Sequence, residues 1–284
     1  MTTSLIDAMR ETLADWDTDL DTSWRQIFKG VKPAFSSVNG GLKLNVWEPI
    51  FPARKGFQQL GAARDAHIFR AFDDIEPESV RCVLLGQDPY PCMAFSTGRA
   101  FEAGGYAEWR ELEKMWSASM RSLLQFICAI RGNDDEYAQG SRKWSKAIDA
   151  IESGAIDIPK PPQLAGDWVK QGVLLLNSSL TITRFAVEGH PHQLEGHIPL
   201  WRPLIVRTIQ YLYEKNPRGQ VFILFGDIAR DAMRDAGIID DIDDHPQIVA
   251  RPHPAAGDDF LNMKNPFVEC NEKLLAMNLK PITW

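Results

Sequence analysis

The sequence predicts an α/β fold, three layers α-β-α, around a central and mainly parallel four-stranded sheet. Two observations carry that prediction. Short runs rich in leucine, valine and isoleucine alternate with helical stretches, the pattern of a parallel sheet covered by helices on both faces. Each run also stops in a polar or glycine-containing turn: Gly86-Gln87-Asp88, Asn177-Ser178, Gly226-Asp227 and Arg251-Pro252-His253. In a parallel sheet these ends share one edge, so four loops distant in sequence converge on one cleft.

The elements follow in order. The N-terminus reads as a helix, with Ser or Thr capping before Leu5, Ile6, Met9 and Leu13. Residues 24–56 read as irregular, and Gln58–Phe72 as a helix. The first sheet strand is Arg81–Leu85. It ends in Gly86-Gln-Asp-Pro-Tyr-Pro91, where two prolines force a stiff turn out of the sheet. A loop of small residues spans 98–105. A helix runs over Ser122–Arg131, a short one over Trp144–Ile151, and another over Gln163–Gln171, stopped by Gly172. The second strand is Val173–Asn177. A loop with three histidines follows, then a long helix from Leu200 to Lys215, ended by Pro217 and Gly219. Val221–Phe225 is the third strand, Asp227 is suited to cap the next helix, Gln247–Ala250 is the fourth strand, and a last helix spans Pro266–Met277.

A chain of 284 residues could hold one large domain or two small ones, and its 44% apolar content is ample for a core. A single domain over 1–284 is expected, with an insertion or lid at 132–166, where apolar density falls. There is no repeat, no run of eighteen apolar residues and no signal peptide, so no membrane partner is expected. The cysteines Cys82, Cys92, Cys128 and Cys270 lack C-x-x-C spacing, which argues against structural zinc and for a reducing, cytoplasmic compartment. The formal charge of −7 does not advertise a nucleic-acid binder, nor exclude one with a local basic face. Six aspartates fall between Asp231 and Asp244 and read as a solvated stretch.

The cleft collects a carboxylate (Asp88), an amide (Asn177), cationic or imidazole donors (Arg251, His253) and aromatics (Tyr90, Phe101). It lacks a Gly-x-Gly-x-x-Gly, a Walker loop and a nucleophile elbow. An amide reads a base edge, aromatics stack on it, and a carboxylate stabilises an oxocarbenium-like sugar and orients water. These parts suit cleavage of a nucleoside's glycosidic bond better than phosphoryl transfer.

The chain resembles the family 1 uracil-DNA glycosylases from about Trp24 to its end. Gly86-Gln-Asp-Pro-Tyr90 is similar to the family's first active-site motif. Phe101 stands at the spacing of its stacking phenylalanine, and Leu174-Leu-Leu-Asn177 is similar to the strand carrying its uracil-reading asparagine. Val221–Gly226 and Pro281-Ile-Thr-Trp284 resemble two further segments. The resemblance implies a uracil-DNA glycosylase-like fold and a monomeric, cofactor-free and metal-free hydrolase of base excision repair, with uracil-containing DNA as partner. Asp88 would orient water and balance the sugar cation, and Gln87 would help form the water and O2 pocket. Tyr90 would exclude the thymine methyl, Phe101 would stack on flipped uracil, and Asn177 would bind O4 and N3–H. Ser122, Gly226, Pro252, Pro254 and Ala255 would face DNA.

Several positions depart from the family pattern. Arg251-Pro-His-Pro-Ala255 stands where the family has His-Pro-Ser-Pro-Leu, in a register supported by Phe267. Either Arg251 or His253 supplies the donor to uracil O2. Ala255 cannot fill a vacated base stack, which predicts weaker action on stable duplex than on single strands and poor binding of the phage-type inhibitor. Pro91 replaces a histidine, Asp227 replaces a phosphate-touching serine, and Ala118-Ser-Met-Arg121 lacks the prolines of the DNA loop. Alone, Asp-Pro-Tyr is ordinarily a turn, Asn177 a strand-end residue, and Phe101 and Tyr90 core. His190, His192 and His197 read as a solvated loop sooner than a metal set, and Arg251 has an alternative structural role in a salt bridge. A specificity-shifted glycosylase and a non-catalytic DNA-binding relative are the other two readings.

Overall fold

A computed structural model describes residues 1–102, 104–114, 118–215, 219–237, 241–242 and 245–284. The expected helix stop at Pro217, part of the 98–105 loop (Ala103) and the aspartates Asp240, Asp243 and Asp244 lie outside the described residues. Six strands form two sheets among them. The small sheet pairs β1 (Thr2–Ser4) antiparallel with β2 (Lys43–Asn45). The large one contains β3 (Cys82–Gly86), β4 (Val173–Asn177), β5 (Val221–Phe225) and β6 (Ile248–Arg251), in the order β4-β3-β5-β6 and parallel throughout. Every residue of β3, β4 and β5 is buried, which is why these runs are continuously apolar rather than alternating.

The helices are α1 (Leu5–Thr12), α2 (Thr22–Ile27), α3 (Ala118–Gly132), α4 (Trp144–Glu152), α5 (Pro161–Lys170), α6 (Ile198–Lys215), α7 (Asp227–Asp235), α8 (Asp258–Leu261) and α9 (Pro266–Ala276). Two aromatic clusters mark the layers. Trp168 of α5 meets Phe267 of α9 and Trp284 of the C-terminal segment. Elsewhere Trp201 of α6 meets Phe69, and Trp24 of α2 meets Phe72. All seven residues are fully buried. Aromatic burial and edge contacts of this kind lock helices onto a sheet.

Some expectations do not hold. The stretch Gln58–Phe72 is not a helix; only Arg70–Phe72 makes a 3-10 turn. Gly61 and Asp65 take left-handed backbone angles, and the amides of Ala63, His67 and Ile68 bond Met93, Thr97 and Ala53 rather than their own stretch. Ser4 stands at the start of α1 without a side-chain cap, its segment being held as a strand instead. Asp227 does not cap α7 either: Gly226 occupies the cap position and Asp227 is the first helical residue. Residues 24–56 are less irregular than expected, since they contain most of α2 and all of β2. Within 132–166, α4 lays Ala147 and Ile148 fully into the core, and the segment runs into the start of α5.

Candidate active site

The site begins with a glycine. Gly86 ends β3 directly beside Asn177 at the end of β4. A Cβ on Gly86 would lie 2.7 Å from Asn177 Oδ1 and 3.1 Å from the Phe101 ring. Only glycine lets the amide and the ring close over the strand end. Past the sheet, Ser178 N–H donates to Gly86 O and Ser179 N–H to Gln87 O, both at 2.9 Å. The ladder thus extends into the loops and fixes the turn that carries Gln87, Asp88 and Tyr90. This turn, the Phe101 loop, the end of β4, the N-terminus of α3 and the loop after β6 enclose a cavity of about 420 Å³, a size suited to a small planar ligand. Among the lining residues none comes from 132–166.

Asp88 sits recessed in the cavity wall. Its Oδ2 accepts from Gln193 Nε2 at 2.8 Å and from Gln87 Nε2 at 3.3 Å. Burial pushes its carboxyl up to about 6, and the Gln193 and Gln87 amides hold it from rising further. A carboxyl in this range is ionised at neutral pH yet basic enough to take a proton. Gln193 was not legible in the sequence: 105 positions separate it from Asp88, and nothing in the local pattern marks it.

Phe101 has φ of +56°, unusual for a residue with a side chain. Backbone held in that region concentrates at functional sites. The ring stands edge-on to Phe225 with centroids 5.3 Å apart and lines the cavity. The Tyr90 phenol is pushed up by burial, against an opposing effect of Ser119. Ser119 and Arg99 are cavity-lining residues that sequence reasoning missed. Arg99 is buried, and its charge is answered by Asp74 and Glu102.

The two donor candidates of the fourth segment separate clearly. Arg251 is buried. Its guanidinium donates to Lys264 O and Ala250 O, each at 2.9 Å, and pairs with Glu269 of α9. It lies outside the cavity lining, in its structural alternative, because the β6 register turns it toward α9. His253 lines the cavity. Its Nδ1 accepts from Ala255 N–H at 3.2 Å, which leaves Nε2 as the protonated nitrogen of a neutral ring, and burial lowers its pKa from the ordinary histidine value. A Cβ on Gly226 would meet His253 Cβ at 3.3 Å, so Gly226 supports His253 from behind. Ala255 is exposed and lines the cavity, whereas Pro254 is buried and Pro252 partly so. Ser122 does not face outward: it is buried and its hydroxyl donates to Ala118 O.

The three histidines do not form a solvated loop. His192 and His197 are buried and share hydrogen bonds with Thr183 and Thr181, and Trp201 donates to Thr181. Burial pushes His197 down to about 3, so it is a neutral packing group. Among the described residues no cluster of His, Cys, Asp or Glu could hold a metal ion. What the cavity offers is a flat apolar face, an amide edge, a carboxylate and a neutral imidazole donor. That set can grip a planar heterocycle and polarise the bond behind it.

No family model matches the chain. A uracil-DNA glycosylase from Sulfurimonas denitrificans is 27% identical over 273 residues, covering 94% of this chain and 98% of the relative. Another, from Pediococcus pentosaceus, is 29% identical over 218 residues, 77% of each. Among solved structures, UNG from Nitratifractor salsuginis superposes with a TM-score of 0.59 at 22% identity over 98% of both chains. A mimivirus UNG variant solved in complex with UGI gives 0.59 at 18% identity, covering 99% of this chain and 94% of that one. These structures share the fold of the chain.

Proposed function

We propose that the chain, 27–29% identical to uracil-DNA glycosylases over most of its length, acts as a member of that family and excises uracil from DNA, cutting the N-glycosidic bond of the flipped-out nucleotide and leaving an abasic site for base excision repair. The observation that carries this reading is the meeting of Asp88, Phe101, Asn177 and His253 around one cavity. The flipped uracil stacks on Phe101. Asn177 pairs with O4 and N3–H, an edge of opposite polarity to that of cytosine. Tyr90 stands against C5, where a thymine methyl would clash. His253 donates Nε2–H to O2 as negative charge gathers there, and Gln87 helps shape the water and O2 pocket. As the C1′–N1 bond breaks, its electrons leave with the base. A water adds to C1′ and gives its proton to Asp88, whose carboxylate also balances the sugar cation. Extruding the base costs a few kcal/mol.

The DNA-facing rim supports a narrower reading. Ala255 is small and exposed, and Asp227 is exposed at the start of α7, where a carboxylate repels phosphate. Single-stranded uracil DNA is therefore the preferred substrate, and a UGI-type inhibitor binds poorly. Pro252 and Pro254 shape the rim, while Gly226 and Ser122 serve it from within. The chain acts as a monomer, with no cofactor. No helix of the described residues is long and apolar enough to cross a membrane. The free thiols of Cys82 and Cys270, 3.7 Å apart, favour the cytoplasm.

The test is cleavage of a single-uracil oligonucleotide, single-stranded and paired, with alkali to reveal abasic sites and Asp88→Asn as control. Cleavage that disappears in Asp88→Asn supports the reading. Binding without cleavage by the wild type would put a non-catalytic relative in its place.

A further inference from the structure

The Gln193 carboxamide touches two parts of the site at once. Its Nε2 donates to Asp88 Oδ2 at 2.8 Å. Its Oε1 accepts from His190 N–H at 2.8 Å and from Ala186 N–H at 3.1 Å. The side chain is 1% exposed. Two backbone donors dictate which end of the amide is oxygen, so the nitrogen must face Asp88. The bond therefore needs an acceptor on Oδ2. The Gln193 and Gln87 amides both donate to this one oxygen; among the described residues no donor reaches Oδ1. The loop held at the other end carries Phe185 and Val187, which line the cavity.

We propose that Gln193 is a positioning residue for the reaction: it clamps Asp88 through Oδ2, leaves Oδ1 to engage water, and ties the acid to the loop 186–190 that walls the cavity. This rests on the glycosylase reading above. The clamp also favours the ionised acid, because its donor is satisfied by a carboxylate and weakened by a proton on Oδ2. No ionisable group on the cavity wall takes over the clamp. On the cavity wall Tyr90 is a high-pKa phenol, Arg99 is bound to Asp74 and Glu102, and His253 is held neutral by burial. Behind Gln193, His190 and His192 are both pushed down by burial. Gln87 is the second donor, at the longer distance of 3.3 Å.

The experiment compares wild type, Gln193→Leu and Gln193→Glu. Uracil release from a saturating single-stranded uracil oligonucleotide is followed from pH 5 to 9, and the Asp88 carboxyl is titrated by carbon NMR in the free proteins. Gln193→Leu removes the donor, so the acid limb of kcat and the Asp88 midpoint should both move up by about one pH unit. Activity should recover toward wild type at high pH. Gln193→Glu keeps acceptors for the loop amides but sets a like charge against Asp88, and should move the limb further. A uniform loss at every pH with an unmoved Asp88 midpoint overturns the proposal. Wild type that releases no uracil sinks the glycosylase reading instead, and the titration still judges the clamp. If one variant does not fold, the other supplies both readouts.

Discussion

The floor of the cavity and its rim are built to different standards. On the floor, Asp88, Tyr90, Phe101, Asn177 and His253 are recessed and held by the ends of a parallel sheet. Four of them are fixed by something specific: a carboxamide on Asp88, an edge contact on Phe101, a glycine beside Asn177, a backbone amide on His253. On the rim, Ala255 and Val187 are exposed and Asp227 brings a negative charge. Recognising a base inside a pocket demands fixed geometry. Holding DNA at a surface tolerates several arrangements, since phosphate contacts position without specifying.

The largest effect should come from the floor. Asp88→Asn should lower kcat by about 10²–10⁴-fold, the usual worth of a positioned acid or base, measured by single-turnover uracil release. The same variant should be more stable than wild type at neutral pH. The folded carboxyl is raised to about 6 from 3.8, so the native state holds its proton more tightly than the unfolded chain. Stability from this group is full below the unfolded value and declines as pH rises to about 6, a cost of roughly 2–3 kcal/mol thereafter. Asparagine removes that cost, so thermal unfolding should show a gain at pH 7 that shrinks at pH 4. Equal melting curves at both values would break the claim that burial strains the floor.

Next comes the contrast within the fourth segment. His253→Ala should cost about 10²–10³-fold in kcat, as expected for an oxyanion donor, with little change in folding. Arg251→Ala should do the reverse: about 2–3 kcal/mol of stability, by removing a charged hydrogen bond from half-buried Glu269, which keeps only the Lys273 ammonium at 3.8 Å, while folded molecules keep near-normal turnover. Urea melts beside active-site-normalised rates separate the two. Here the sequence held both alternatives open, because residues two apart on a strand end cannot be told apart by pattern. The register of β6 against β5 and the position of α9 put Arg251 on Glu269, while His253 lines the cavity.

The smallest effect is expected at the rim. Ala255→Leu adds apolar bulk worth about 0.8 kcal/mol per buried CH₂, and should raise cleavage of paired substrate several-fold without changing the single-stranded rate. The same substitution should improve UGI binding, read by inhibition titration. An equal gain on both substrates would show that the rim acts through the floor and erase the distinction between them.

What the sequence determined by itself is local. Continuous apolar runs located the four sheet strands within a residue or so, because burial on both faces leaves no polar alternation. The stiff Gln-Asp-Pro-Tyr turn after Gly86 singled out Asp88 as a candidate acid, whereas Phe101 was singled out by the family resemblance and not by local pattern. What only the tertiary structure decided is which side chains meet across distance. Gln193 reaches Asp88, Ser119 rather than Ser122 faces the cavity, and Arg251 leaves the site for Glu269. It also withheld a helix from Gln58–Phe72 by drawing the amides of Ala63, His67 and Ile68 to distant carbonyls. Local propensity is written in neighbouring residues, whereas a hydrogen bond between remote side chains depends on register and crossing geometry that no short stretch of sequence contains.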